Sequence, residues 1–181
     1  VDGDGLFTAG VDQPEFVGDE VLWYVANDMD PTRSTFTYGT LPMGLEFQTT
    51  IFGFNRTGSL GDMVFKKYKI INKGQNTIND MILAYWSDTD MGDAADDYTG
   101  CDTTLSLGYT YNSDNDDGGG SGNTYGSPPP AIGYDFFQGP IVGGNATDSA
   151  KFDGEWRHGF RNLPMTAFAF YINGFAPYLD P

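Results

Sequence analysis

Cysteine is almost missing from this chain. Cys101 stands alone, so no disulfide can close within the 181 residues, and zinc has too few soft ligands. Histidine is as scarce: His158 is the single copy, set in W-R-H-G-F with no G-x-S-x-G elbow to supply a serine nucleophile. A structural or surface histidine is expected there. Cations are few, 9 Lys and Arg against 25 Asp and Glu, for a net charge of -16. That field repels nucleic acid and anionic lipid, which argues against both as partners. No apolar run reaches the roughly 18 residues of a transmembrane helix, so no membrane insertion is expected. Phosphate-loop and dinucleotide fingerprints are absent too, and no pair of carboxylates stands out at glycosidase spacing.

Helical periodicity is also rare. Aromatic residues (14 Phe, 11 Tyr, 3 Trp) and β-branched residues lie between turns rich in Gly, Asn and Asp. This pattern predicts an all-β fold, an antiparallel β-sandwich of jelly-roll or Ig-like type with long Gly/Asp-rich loops. Composition does not shift along the chain, so residues 1–181 are read as one domain. Residues 1–19 form a loose N-terminal or assembling segment, and Asp2 and Asp4 within it are a D-x-D pair. Residues 113–130 form a long Gly/Pro-rich loop. The chain starts without Met and stops at Pro181. It is expected to be a processed product or a piece of a longer protein.

Strands are predicted at Glu20–Ala26 (apolar on both faces, hence central), Leu45–Phe54, Met63–Asn72, Ile78–Trp86, Thr103–Asn112, Ala131–Pro140 and Leu163–Asn173. Residues 63–86 read as a hairpin. Lys66, Lys67 and Lys69 charge its first strand. In Thr103–Asn112 the alternation places Leu105, Leu107, Tyr109 and Tyr111 on one face, the mark of a half-buried strand. Asp28 and Asp30 repeat the D-x-D spacing before Pro31, where an Asx-type turn is expected.

The densest chemistry lies in W-S-D-T-D-M-G-D-A-A-D-D-Y-T-G-C-D, residues 86–102. Asp88, Asp90, Asp93, Asp96, Asp97 and Asp102 crowd one span, and no Lys or Arg occurs between Lys73 and Lys151. A hard divalent cation would relieve their repulsion. Ca²⁺ fits best, since it takes about six to eight oxygens from flexible loops. Asp88, Asp90, Gly92, Asp96, Asp97 and Asp102 are the expected metal residues. Gly92 comes one residue early for an EF-hand and no Glu follows at the twelfth position, so the site is of another type.

The motif D-x-D-x-G-x-x-x-D-D-Y-x-G-C-D (88–102), with F-K-K-Y-K-I-I-N-K-G before it and P-P-A-I-G-Y-D-F-F-Q-G-P-I-V and L-P-M-T-A-F-A-F-Y-I-N-G after it, resembles a module of large secreted proteins of Bacteroidota and Ignavibacteria-type bacteria. Many of these end in a type IX secretion sorting domain. The resemblance spans roughly residues 63–174. It implies an extracellular or cell-surface location and a longer parent chain, with no defined activity.

Three functions follow as expectations. The first is a calcium-stabilised structural or adhesive module that assembles with itself into a surface layer or filament. The second is a carbohydrate-binding module that stacks a surface glycan on Tyr109, Tyr111, Tyr125, Tyr134 or Trp156. The third is a glycan-active hydrolase. A non-enzymatic role is expected.

Overall fold

A computed structural model describes residues 6, 8–11, 16–118 and 124–172. Asp2, Asp4 and Asn173 lie outside these residues. The fold is all-β and antiparallel, with one short α-helix. The chain gathers into two compact units, 1–83 and 84–181.

The first unit is a three-stranded meander: β1 (Glu20–Asn27), β2 (Leu45–Gly53) and β3 (Val64–Asn72), in the order β1-β2-β3. Glu20 stands opposite Gly53 and Leu45 opposite Asn72. β1 is therefore an edge, not the centre. Its apolar run is largely uncovered, Trp23 being 60% exposed. Phe52, Phe54 and Phe65 cluster at one end, with Phe52 and Phe65 stacked at 5.1 Å.

Between β1 and β2 the chain forms α1 (Pro31–Tyr38), which the sequence reading had only as a turn. Its signals are local. Asp30 accepts from the N–H groups of Thr32 and Arg33 at 2.9 and 3.2 Å, Pro31 opens the first turn, and Gly39 closes the helix at φ +70°. Asp28 ties this crossover down. Its carboxylate accepts from the N–H groups of Met43 (2.6 Å) and Leu45 (2.7 Å), and its carbonyl accepts from Ser34 Oγ (2.7 Å). Both aspartates of this D-x-D pair thus serve the backbone.

The predicted hairpin over 63–86 does not form. β3 pairs with β2 through the 54–63 turn, and residues 77–91 carry no strand among the described residues. Asp80, at φ +52°, breaks the extended run that a ladder would need.

The second unit is built on β4 (Asp97–Asp102), β5 (Leu107–Asn112) and β6 (Ala131–Asp135), again a meander. β4 was hidden inside the acidic stretch, and β5 starts later than expected because residues 103–106 form the turn, with Ser106 at φ +56°. Beyond it, β7 (Ile141–Gly143) pairs with β10 (Phe160–Asn162), and β8 (Ser149–Phe152) forms a hairpin with β9 (Glu155–His158). His158 Nδ1 lies 2.9 Å from Ser149 Oγ across that hairpin. The apolar segment 163–172, expected as a strand, has no ladder among the described residues. Its Phe168 lies against the backbone of β5, since a Cβ on Gly108 would meet that ring at 3.2 Å.

The alternation predicted for β5 is present, but its direction is reversed. Gly108, Thr110 and Asn112 are the buried set, while Tyr111 on the opposite face is exposed. Small and polar side chains go inward because segments of the same unit lie close on that side. Ser87 Oγ and Thr89 Oγ1 bond to Tyr134 Oη at 2.7 and 2.9 Å, and Tyr85 packs on the Tyr134 ring.

Two truncations test the crossover. Asp28→Ala removes two charge-assisted hydrogen bonds and should lower unfolding free energy by about 2–3 kcal/mol. Asp30→Ala removes only a cap and should lower it by about 1 kcal/mol. Urea unfolding of the two variants reads the difference.

Candidate metal centre

The site forms where the 88–97 loop and the 112–126 loop meet at the start of β4. Directly opposed residues of an antiparallel ladder share a face. Asp97 stands opposite Asn112, so both side chains point to the inner face. A short 3₁₀ turn, Ala94–Asp96, precedes β4 and is capped by Asp93, whose carboxylate accepts from Ala95 N–H.

Asp117 organises the junction. It is 1% exposed. Its Oδ1 accepts from Asp93 N–H at 2.9 Å, and its Oδ2 accepts from Tyr125 N–H in a very short hydrogen bond. Its own backbone exchanges two hydrogen bonds with Gly126, at 3.0 and 3.1 Å. Gly92, at φ +71°, lies directly on the Asp117 carboxylate, with no space for a Cβ. Gly92 thus meets two demands at once, a left-handed turn and close approach.

Asp97 sits beside this junction. Its Oδ2 accepts from Met91 N–H at 2.8 Å. Its Oδ1 and the Oδ1 of Asp96 are closed to solvent and have no hydrogen-bond partner, and the same holds for Asn112 Nδ2. Burial pushes the Asp97 carboxyl above its ordinary value. The Met91 N–H bond pulls it down, and the charges of Asp96, Asp117 and Asp90 push it up again. Asp90, Asp96 and Asp117 thus lie near enough for their charges to act on Asp97. An open recess of about 430 Å³, lined by Asp90, Gly92, Thr124 and Tyr125, leads in beside them. Among the described residues no three acidic, His or Cys side chains already stand as a finished metal cage. The carboxylates gather without closing.

Of the expected ligands, the structure brings Asp90, Gly92, Asp96 and Asp97 together. Asp102 lies at the far end of β4, about 17 Å away at strand rise, where its Oδ1 accepts from Thr104 and Leu105 N–H in the β4–β5 turn. It stands apart from the carboxylates around Asp97. Asp88 is an exposed residue between Ser87 and Thr89, whose hydroxyls face Tyr134. The sequence reading missed Asp117 and Asn112. The signal was present: N-S-D-N-D-D-G, residues 112–118, is a second acidic turn. In it Asn112 accepts from Asp114 N–H and Asp114 from Asp116 N–H.

A carboxyl whose folded pKa is raised favours folding fully below its unfolded value, near 3.8, and loses that contribution as pH climbs through the folded value. In chelator, the protein should therefore gain stability as pH is lowered from neutrality into the weakly acidic range. Asp97→Asn should remove part of that gain and raise the melting temperature at pH 7. Thermal melts across pH check both. Comparison with protein-family models, with curated proteins and with solved structures finds no match.

Proposed function

We propose that this protein is an extracellular structural module stabilised by Ca²⁺, with an adhesive or self-assembling role. One observation carries the reading: the charges of Asp96, Asp117 and Asp90 all act on Asp97, and one oxygen each of Asp96 and Asp97 is buried without a partner. A hard cation is what such a donor set lacks. Asp96 and Asp97 would supply the free oxygens. Asp90, at the recess, would supply another, and the second lone pairs of Asp117 are available beside them. The ion would hold the 88–97 and 112–126 loops together and offset part of the entropy cost of ordering them, about 1–2 kcal/mol per residue.

The extracellular location rests on the resemblance of residues 63–174 to secreted modules. It agrees with the chemistry, because a loop site of this openness suits the weak, millimolar-range calcium affinity of extracellular modules. The assembling role rests on the first unit. Among the described residues β1 stands at one end of the strand order β1-β2-β3. Lys66, Lys67 and Lys69 charge β3, a feature that protects edges. β1 carries Leu22, Trp23, Tyr24 and Val25 uncovered and is the better edge for strand addition from another copy.

Thermal melts with light scattering test both parts. At Ca²⁺ near a hundred times its Kd the melting temperature should rise by about 5–10 °C. Asp97→Asn and Asp117→Asn should abolish the rise, and Mg²⁺ should not reproduce it. No shift in millimolar Ca²⁺ sinks the ion site. A chain that stays monomeric at high concentration, with and without Ca²⁺, sinks the assembling role.

A further inference from the structure

The two faces of β4-β5-β6 differ in kind. The inner face holds Thr110 and Asn112, both buried, and is covered by Tyr85, Ser87, Thr89 and Phe168 of the same unit. The outer face presents tyrosines. Tyr98 stands opposite Tyr111, and Tyr109 follows two residues along the same strand face. Tyr98 is 57% exposed and Tyr111 39%. Their rings meet edge-on at 6.1 Å, and Tyr109 lies 5.8 Å from Tyr111. The three rings form one continuous strip.

Glycine makes the strip shallow. Gly100 and Gly133 flank Tyr109 on the neighbouring strands. The Tyr109 ring lies down over Gly100: a Cβ there would come within 2.5–2.6 Å of its Cζ, Cε2 and hydroxyl. Gly133 on the other side adds no side chain of its own, and Leu107 lies over it, its Cδ1 3.0 Å from where a Cβ would stand. At one end of the same face Asp135 stands opposite Leu107.

We propose that this face is a platform for a neutral polysaccharide chain. The ring spacing is close to that of successive hexose units, and the mutual tilt of the rings, 43° and 83°, suits a chain whose units turn as they pass from one phenol to the next. Charge selects the occupant. Residues 74–150 contain no Lys or Arg, and the chain carries -16 overall. Acidic glycans, nucleic acid and acidic peptides are repelled. A neutral, hydroxyl-rich chain is not, and its hydroxyls can donate to Asp135 and to the tyrosine oxygens. An apolar protein surface fits poorly, because the strip is hydroxylated and its gaps are glycine. The proposal is independent of the ion site, which lies on the other face.

The test is calorimetric titration of the full chain with cellohexaose, xylohexaose, mannohexaose and maltohexaose, with polygalacturonate as the acidic control. At least one neutral hexasaccharide should bind with a Kd between micromolar and millimolar, and polygalacturonate should not. Tyr98→Ala and Tyr111→Ala should each weaken binding about tenfold with the melting temperature unchanged. Gly100→Val, which displaces the Tyr109 ring, should weaken it too. Three results overturn the proposal: no neutral hexasaccharide bound at millimolar concentration, binding indifferent to the tyrosine variants, or tyrosine variants that lower the melting temperature as core truncations do. The last would mean that the strip is packed interior.

Discussion

A carboxylate taken out of water must be matched by hydrogen bonds or charge, or it costs several kcal/mol. Asp117 is matched by two backbone N–H groups, one from each of the loops it joins. That single arrangement fixes much of the second unit. It holds residue 93 against residue 125, requires glycine at position 92, and sets the 88–97 loop over the start of β4. It also leaves a debt of charge nearby. Asp97 is pressed into the same region with one oxygen unpaired, among like charges from Asp90, Asp96 and Asp117. Stability is therefore sensitive to the protonation of Asp97.

The all-β class was legible because β-branched and aromatic runs between Gly and Asp turns have few other solutions. β1, β2 and β3 follow their sequence signals to within a residue or so. Failures came where local and tertiary preferences disagree. Ile78–Trp86 and Leu163–Asn173 have strand composition but no ladder among the described residues, since composition does not choose a partner. β4 was invisible because Asp97 and Asp102 at its ends read as loop, yet its hydrogen bonds to β5 are backbone bonds and indifferent to that. Tyr109 and Tyr111 share one face of β5 as the alternation requires, but Thr110 and Asn112 are the buried pair, and hydrophobicity alone does not say which face is covered.

The centre was legible in part for a similar reason. Asp90, Gly92, Asp96 and Asp97 lie within one short run, so proximity in sequence stood in for proximity in space. Asp102 lies in the same run, but a strand of six residues carries it away. Asp117 and Asn112 come from across the β4–β5 turn. Only the antiparallel register, which sets Asp97 against Asn112, brings them in. No reading of single motifs contains that pairing.

Alternation along β4 has a further consequence. Asp97 faces inward and Tyr98 outward because neighbouring residues of a strand point to opposite sides. The acidic pocket and the tyrosine strip are therefore two readings of one register. A slip of β4 by a single residue against β5 would turn Tyr98 into the crowded interior and Asp97 out to water. Neither face could then be kept without the other. Selection on either one guards both, and the Ser106 turn that sets the count between β4 and β5 is held by two unrelated constraints.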